Sequence, residues 1–200
     1  MSTITQIENR IKKFGRGGIF YPDDFIDLGT SDAIRQSLTR LCKDEMIVRL
    51  AQGMYCYPEI DNELGLGVLL PSSEDIAQSL AKRDCARIVP TGSYALHVLG
   101  LSTQMPLNCV YMTDGSARHI ELYNGNEITF KRTTPKNLSF TSKLAMLITF
   151  ALKSLGQLNM EQTIIQKIHK LLRNESKSEV MKDLCLMPGW IRHIVIQAYE

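Results

Sequence analysis

Apolar residues near the start of the chain recur with the period of an amphipathic α-helix. Ile4, Ile7, Ile11 and Phe14 fall on one side of such a helix. Gly15 follows the last apolar position and is a typical residue at the end of a helix. The pattern therefore predicts an opening helix that ends near residue 14.

Two further helices are predicted before residue 47. Pro22 stands at the first position of a short helix, where the missing N–H of proline costs no hydrogen bond. Thr30 or Ser31 provides the N-cap of a longer helix, and this longer helix has an apolar inner face. The inner face consists of Ala33, Ile34, Leu38, Leu41 and Met46.

Two short apolar runs follow, and they predict a β-hairpin. The runs IVRL and MYCY are separated by a turn at Gln52 and Gly53, and Pro58 ends the segment. With a very short strand predicted at Gly17–Phe20, the order of elements is helix, strand, helix, helix, hairpin. This is the order of a winged helix-turn-helix, so residues 1–60 are predicted to form such a DNA-binding domain with the hairpin as its wing.

The rest of the chain, residues 61–200, is predicted to form a second, mixed domain that follows a connector near residues 59–73. Strand-like runs are separated by Asp114-Gly115 and Asn124-Gly125, which favour hairpin turns, so we expect a three-stranded antiparallel meander. Beyond Ser142 the apolar spacing predicts helices. The predicted fold class is α+β, with a winged helix-turn-helix, an antiparallel meander and a helical C-terminal region.

Composition and charge exclude some classes of protein and leave others open. The formal net charge is +2, and residues 1–59 carry equal numbers of acidic and basic side chains, so any binding of nucleic acid depends on a local surface. The five cysteines are scattered, which favours free thiols in a reducing cytoplasm over disulfides or a zinc site. No apolar run is long enough to span a membrane. We therefore expect a cytoplasmic protein with no membrane segment and no metal.

The outer face of the third predicted helix carries the side chains that a recognition helix needs. Arginine pairs with guanine edges and glutamine with adenine edges, while hydroxyl groups bind phosphates. We expect five residues of this face to enter the major groove, namely Ser31, Arg35, Gln36, Thr39 and Arg40. The alternative is a solvated helix face, which is the common role of a polar stripe.

Basic residues outside this group are predicted to bind the DNA backbone. Lys43 continues the same face of the helix, and we expect it to contact phosphate. Lys12, Lys13 and Arg16 are expected to do the same from the first helix and the turn after it. Acidic residues are concentrated in the short helix that follows, so the basic ones are free to share one surface.

The predicted wing also offers two polar side chains to DNA. Arg49 and Gln52 are expected to reach the backbone or the minor groove beside the recognition helix. Because side chains alternate along a strand, Arg49 is predicted to lie on the face opposite Val48 and Leu50. We therefore expect Arg49 to point toward phosphate.

The sequence gives little support to a catalytic site. Gly92-Ser93 before a short helix resembles the turn with which nucleotidyltransferases hold triphosphate, but such a site needs two spaced carboxylates and only Asp114 is available. The four histidines lie in separate predicted elements, and no cysteine lies in a catalytic motif. We therefore predict that the chain is not an enzyme and has no catalytic residue and no cofactor.

A distinctive motif follows the third helix. A strand with Arg49 and the small residue Ala51 leads into the pattern x-G-x-Y. Its glycine is Gly53 and its tyrosine is Tyr55. The run GRGGIFYPDDFIDLGTSDAIRQSLTRLCKDEMIVRLAQGMYCYP resembles the N-terminal winged helix of the AbiEi-type antitoxins. The run IVPTGSYALHVLGLSTQMPLNCVYMTDGS resembles the start of their second domain.

The resemblance implies a division of labour between the two predicted domains. The first would bind operator DNA and repress the chain's own operon, and the second would oppose a cognate nucleotidyltransferase-like toxin. The expected partners are thus double-stranded operator DNA and a cognate toxin, and a homodimer on DNA is compatible with the sequence. Two other functions stay open: a stand-alone winged-helix transcriptional regulator, and a protein-interaction module that does not bind DNA.

Overall fold

The computed structural model describes residues 2–61, 65 and 67–200, and the chain divides into two compact units. The first unit comprises Met1–Leu80 and Ile120–Asn126, and the second comprises Ala81–His119 and Glu127–Glu200. The α+β fold class is confirmed: helices with a small antiparallel sheet come first, and a mixed sheet and a helical C-terminal region follow. The assignment of residues 1–60 and 61–200 to separate domains stays a prediction.

The N-terminal elements follow the order of a winged helix-turn-helix. The strands pair in the order β1–β3–β2, and both pairings are antiparallel. Strands β2 and β3 therefore form the predicted wing hairpin. The elements up to the wing are α1 (Thr3–Phe14), β1 (Ile19–Phe20), a 3₁₀ helix (Pro22–Leu28), α2 (Ser31–Lys43), β2 (Val48–Ala51) and β3 (Met54–Cys56).

Aromatic and branched apolar side chains form the core of this module. Phe20 and Phe25 meet edge to face with ring centroids 5.7 Å apart, and Tyr55 stacks on Phe20 at 6.2 Å. Fully buried side chains of this size contribute roughly 1.5 to 3 kcal/mol each. The core ties α2 to the wing because it takes residues from both, and its members are Ile7, Ile11, Phe20, Phe25, Ile34, Leu38, Leu41, Ile47 and Tyr55.

The segment predicted as a connector contains a second hairpin. Strands β4 (Glu59–Asp61) and β5 (Gly67–Leu69) pair antiparallel, with Ile60 opposite Val68. The sequence prediction missed them because each strand is only three residues long. The part of the predicted connector at residues 62–64 and 66 lies outside the described residues. Helix α3 (Ser73–Arg83) follows.

The second sheet has four strands in the order β6–β7–β9–β8. Strand β6 pairs antiparallel with β7, whereas β7 and β9 are parallel neighbours. The short helix α4 leads away from β6. The elements are β6 (Ile88–Thr91), α4 (Gly92–Val98), β7 (Asn108–Thr113), β8 (Arg118–Glu121) and β9 (Glu127–Arg132).

The predicted antiparallel meander is therefore wrong for β7, which pairs with β9 and not with β8, whereas β8 and β9 are neighbours as predicted. Alternate residues of β7 and β9 are buried, including the fully buried Tyr111 and Ile128, so both strands need inner positions in the sheet. Strand β8 is more polar and has no buried residue, which suits a sheet edge. The Asn124-Gly125 signal does mark a turn, closed by the Leu122 N–H, which donates to the Asn126 carbonyl at 2.8 Å.

The C-terminal region is helical, as predicted, and its core is built around α5. Buried residues of α5 pack with apolar side chains of the later helices, including the half-buried Trp190. None of the helices in the described part of the chain is long and apolar enough to cross a membrane. The helices are α5 (Lys143–Leu155), α6 (Gln162–Leu172), α7 (Lys177–Lys182) and α8 (Gly189–Gln197), with 3₁₀ helices at Pro135–Leu138, Gln157–Asn159 and Asp183–Leu186.

A buried carboxylate holds the start of α5. Asp183 is 2% exposed and accepts hydrogen bonds from the backbone N–H groups of Thr141 and Ser142, each at 2.8 Å. The Ser142 hydroxyl in turn caps α5 by accepting the N–H of Ala145 at 3.1 Å. The carboxylate therefore satisfies the N–H of the buried Ser142, which would otherwise lack a partner, and also that of the exposed Thr141.

The cysteines are all free, and they differ in exposure. Burial, and secondarily a neighbouring carboxylate, raise the pKa of the Cys56 thiol to about 11. We expect iodoacetamide at about pH 8 to alkylate the exposed Cys85 and Cys185 first, because thiolate is the reactive form. Peptide mass spectrometry checks this prediction, and labelling of Cys56 as fast as Cys85 in the folded protein would contradict it.

Candidate nucleic-acid interface

The outer face of α2 presents a continuous row of exposed polar side chains. Six side chains form this row, and all of them are exposed, as expected for the outer face of this helix. Their positions three or four residues apart place them along one side of the helix. We call them the polar stripe, and its members are Ser31, Arg35, Gln36, Thr39, Arg40 and Lys43.

The opposite face of α2 fixes the orientation of this stripe. Ile34, Leu38 and Leu41 are buried in the module core, as predicted. Ser37 is also buried, and its hydroxyl donates to the Ala33 carbonyl at 2.8 Å, so it leaves no unsatisfied donor. Because the inner face is anchored along the length of the helix, the polar stripe cannot turn away from solvent.

Both ends of α2 are stabilised by their own residues. The Thr30 hydroxyl accepts the N–H of Ala33 at 3.3 Å, so Thr30 rather than Ser31 is the N-cap. Basic residues in the last turn, Arg40 and Lys43, lie at the negative end of the helix dipole. The side chain of Ser31 is thus not used as a cap and stays exposed at the start of the stripe.

Most of the polar stripe is not engaged by the protein itself. Arg35 lies 3.9 Å from Asp32, and both side chains are largely exposed, so this pair contributes little. The Thr39 hydroxyl donates to the Arg35 carbonyl at 2.8 Å and keeps its acceptor lone pairs. Gln36, Arg40 and Lys43 make no hydrogen bond or ion pair with the described residues. These side chains are therefore available to a ligand.

Arg49 is an exposed cation of the wing. It is exposed on β2 and pairs across the hairpin with Tyr55, whereas the adjacent Leu50 is buried. Burial raises the pKa of the Tyr55 hydroxyl, and the positive charges of Arg49 and Arg35 oppose this rise. One arginine of the wing and one of the polar stripe therefore both act electrostatically on the Tyr55 hydroxyl.

The wing itself is short and partly covered. Only Gln52 and Gly53 separate β2 from β3, and Gly53 has a φ of 70°, a left-handed value that favours glycine. Gln52 is exposed at this turn. At the outer edge of β2, the Tyr123 N–H donates to the Leu50 carbonyl at 2.8 Å, a contact that the sequence did not indicate. The wing is therefore compact, and its exposed side chains are Arg49 and Gln52.

The basic residues near the first helix differ in how freely they can bind phosphate. Lys12 donates to the Glu8 carboxylate at 2.6 Å, and this hydrogen bond raises the pKa of Lys12. Arg16 donates to the Pro58 carbonyl at 2.9 Å and lies over the Tyr57 ring. Lys13 makes no hydrogen bond or ion pair with the residues that the structure describes. All three predicted residues are exposed, but two of them are already engaged.

The site considered for nucleotidyl transfer contains an engaged carboxylate. Asp114 accepts hydrogen bonds from the backbone N–H and the Nε of Arg87, both at 2.8 Å. Burial alone would raise the pKa of Asp114, but the hydrogen bonds and charge of Arg87 outweigh it and lower the pKa. Arg87 also donates to the Leu138 carbonyl at 3.1 Å. Arg87 therefore links the start of β6 to Asp114 at the end of β7 and to the 3₁₀ helix before α5.

Comparison with known families places the chain in one of them. Residues 6–180 match a family described as a family of unknown function, DUF6088, and the chain belongs to this family. The matched range begins in α1 and ends in α7, so it includes the polar stripe and the wing. No curated protein matches the sequence.

Proposed function

We propose that this member of DUF6088 is a DNA-binding transcriptional regulator that reads operator DNA through α2. The observation that carries the proposal is the polar stripe, an unengaged row of base- and phosphate-binding side chains on a helix whose opposite face is buried. A solvated helix face has no need of a neighbouring cation from the wing. Here the exposed Arg49 stands opposite Tyr55, which packs in the same core as the buried face of α2, so the wing contributes a cation on the module that carries the polar stripe.

In the proposed complex, α2 enters the major groove. Arg35 and Arg40 have planar guanidinium groups suited to guanine O6 and N7, and Gln36 suits adenine N6 and N7. Ser31 and Thr39 offer hydroxyl groups to phosphates or base edges. The sequence specificity would thus come mainly from two arginines and one glutamine.

Other residues of the proposed interface bind the backbone. Lys43 and Lys13 have ammonium groups that the described residues leave unpaired, and Arg49 and Gln52 approach from the wing. Lys12 and Arg16 would have to exchange internal contacts for phosphate. We therefore expect only about three to five phosphate contacts, which gives a slope of log K against log salt of roughly −3 to −5.

We further propose that the regulator acts as the antitoxin half of a toxin–antitoxin pair, in the cytoplasm and without catalytic activity. The support is the resemblance to AbiEi-type antitoxins, whose motif residues Arg49, Ala51, Gly53 and Tyr55 lie in β2, β3 and the turn between them. A stand-alone regulator is the second candidate. Co-expression with the product of an adjacent gene that carries two spaced carboxylates would distinguish them, because only an antitoxin would relieve growth arrest.

The DNA-binding proposal is tested by fluorescence anisotropy with labelled duplexes. Full-length protein is titrated into the region upstream of its own gene and into a scrambled duplex of equal length, at about 100 mM salt and above. We expect tighter binding to the upstream region and a steep loss of affinity as salt rises. Equal affinity for both duplexes would overturn sequence-specific recognition, and the absence of binding would favour the protein-interaction module.

Arg49→Ala is expected to weaken binding to all DNA by a similar factor. The reason is that a phosphate contact carries no sequence information, so its loss costs specific and scrambled duplexes alike, on the order of 1 kcal/mol. The salt slope should also fall by about one unit. The same anisotropy titrations measure both quantities, and a loss confined to the upstream duplex would instead assign Arg49 to base recognition.

A further inference from the structure

The first unit contains an open cleft that takes no part in the proposed DNA interface. Its volume is about 460 Å³, and no residue of the polar stripe or the wing lines it. We call it the acidic cleft, and its lining residues are Gly17, Glu59, Leu69, Leu70, Pro71 and Asp75.

The apolar part of the cleft comes from the β4–β5 hairpin and the residues after it. Leu69 and Leu70 are each 37% exposed, and Pro71 continues the apolar surface. Glu59 lies directly opposite Leu69 in the hairpin, so both side chains are on the same face. This face therefore combines an apolar surface with a carboxylate at its edge.

The charged part of the cleft consists of two carboxylates that have unoccupied hydrogen-bond acceptor sites. Glu59 makes no hydrogen bond or ion pair with the described residues. Asp75 uses one oxygen to accept the N–H and the hydroxyl of Ser72 at the start of α3, at 3.0 and 2.6 Å. A carboxylate has about four acceptor sites, so the other oxygen of Asp75 remains available.

The Glu59 carboxylate lies against the backbone of Gly17. A Cβ at Gly17 would lie only 2.8 Å from Glu59 Oε1, and Gly17 has a left-handed φ of 79°. The neighbouring Arg16 donates to the Pro58 carbonyl and lies over Tyr57, and it makes no ion pair with Glu59. The Glu59 carboxylate is therefore free to pair with a cation of a ligand.

We infer that the acidic cleft binds a segment of a second protein in which an apolar side chain is flanked by lysine or arginine. The apolar side chain would cover Leu69, Leu70 and Pro71, and the cations would pair with Glu59 and Asp75. Nucleic acid is disfavoured because its phosphates would meet carboxylates. A symmetric contact with a second copy is disfavoured because it would bring the same carboxylates together. The inference does not depend on DNA binding.

The test begins with a displayed library of random 12-residue peptides selected on the full-length protein. Synthetic peptides of the enriched sequences are then titrated against the wild type and variants by isothermal calorimetry. We expect the enriched peptides to share an apolar residue flanked by lysine or arginine. Glu59→Lys should weaken their binding at least tenfold, and Glu59→Gln, which keeps the side-chain shape, should weaken it by a smaller factor.

Controls separate this surface from the DNA interface and from self-association. Glu179→Lys changes an exposed glutamate of α7 in the same way and should leave peptide affinity unchanged. Binding of the operator duplex should be unchanged by Glu59→Gln, so failure of either proposal is visible separately. The inference is overturned if no basic-apolar sequence is enriched, if Glu59→Lys has no effect, or if light scattering shows a dimer that Glu59→Lys dissociates.

Discussion

The double variant Arg35→Ala/Arg40→Ala is expected to lose operator recognition while the fold stays intact. Each arginine that pairs bidentately with guanine contributes about 1 to 3 kcal/mol, which is roughly a 5- to 150-fold change in affinity. Both side chains are exposed and neither holds the protein together, since the one ion pair of Arg35 is a long contact with Asp32. We therefore expect at least about a 30-fold weaker affinity for the upstream duplex.

The competing explanation for such a loss is a general reduction of positive charge. Lys82→Ala removes an exposed cation of α3 that makes no ion pair with the described residues, and it should leave affinity nearly unchanged. Arg35→Lys keeps the charge but lacks the planar fork, so it should retain binding to scrambled DNA and lose discrimination. If Arg35→Lys discriminates as well as the wild type, Arg35 binds phosphate and not a base.

Asp183→Ala is expected to destabilise the second unit more than any surface substitution. The carboxylate is buried and accepts the N–H groups of Thr141 and Ser142, and both donors would lose their partner. Hydrogen bonds to charged groups contribute about 1.5 to 3 kcal/mol each, and a buried unpaired donor adds a desolvation penalty. The expected loss in the free energy of unfolding is therefore roughly 3 kcal/mol or more.

Urea unfolding followed by tryptophan fluorescence measures this loss of stability in the second unit. The chain has one tryptophan, Trp190, and it packs against the helical core that contains α5. Asp183→Asn keeps one acceptor oxygen and should lose about half as much stability. Glu179→Ala removes an exposed carboxylate nearby and serves as the control. An unchanged midpoint for Asp183→Ala would show that the two N–H groups find other partners.

The elements that the sequence predicted well are those whose residues interact within a few positions of each other. The outer and inner faces of α2 follow from helical period alone, and the wing follows from two short apolar runs around Gly53. Helix ends were predictable because caps such as Thr30 and stops such as Gly15 act locally. The exposure of the candidate site was therefore predictable from the sequence.

The elements that the sequence predicted poorly depend on partners far along the chain. Asp114-Gly115 has the residues of a hairpin turn, which would pair β7 with β8. Instead β7 pairs with β9, because both of these half-buried strands need inner positions in the sheet. The roles of Arg16, Asp114 and Asp183 were equally hidden, since each side chain binds a group at least 27 residues away.

Period, caps and turn chemistry are local, so the sequence by itself determined the helices, the wing and the exposed polar stripe of α2. Only the tertiary structure decided the strand order of the second sheet, the β4–β5 hairpin and the engagement of Arg16 within the fold. The physical reason is that a side chain's charge and shape are set by its residue type, whereas its availability depends on which groups the folded chain brings beside it.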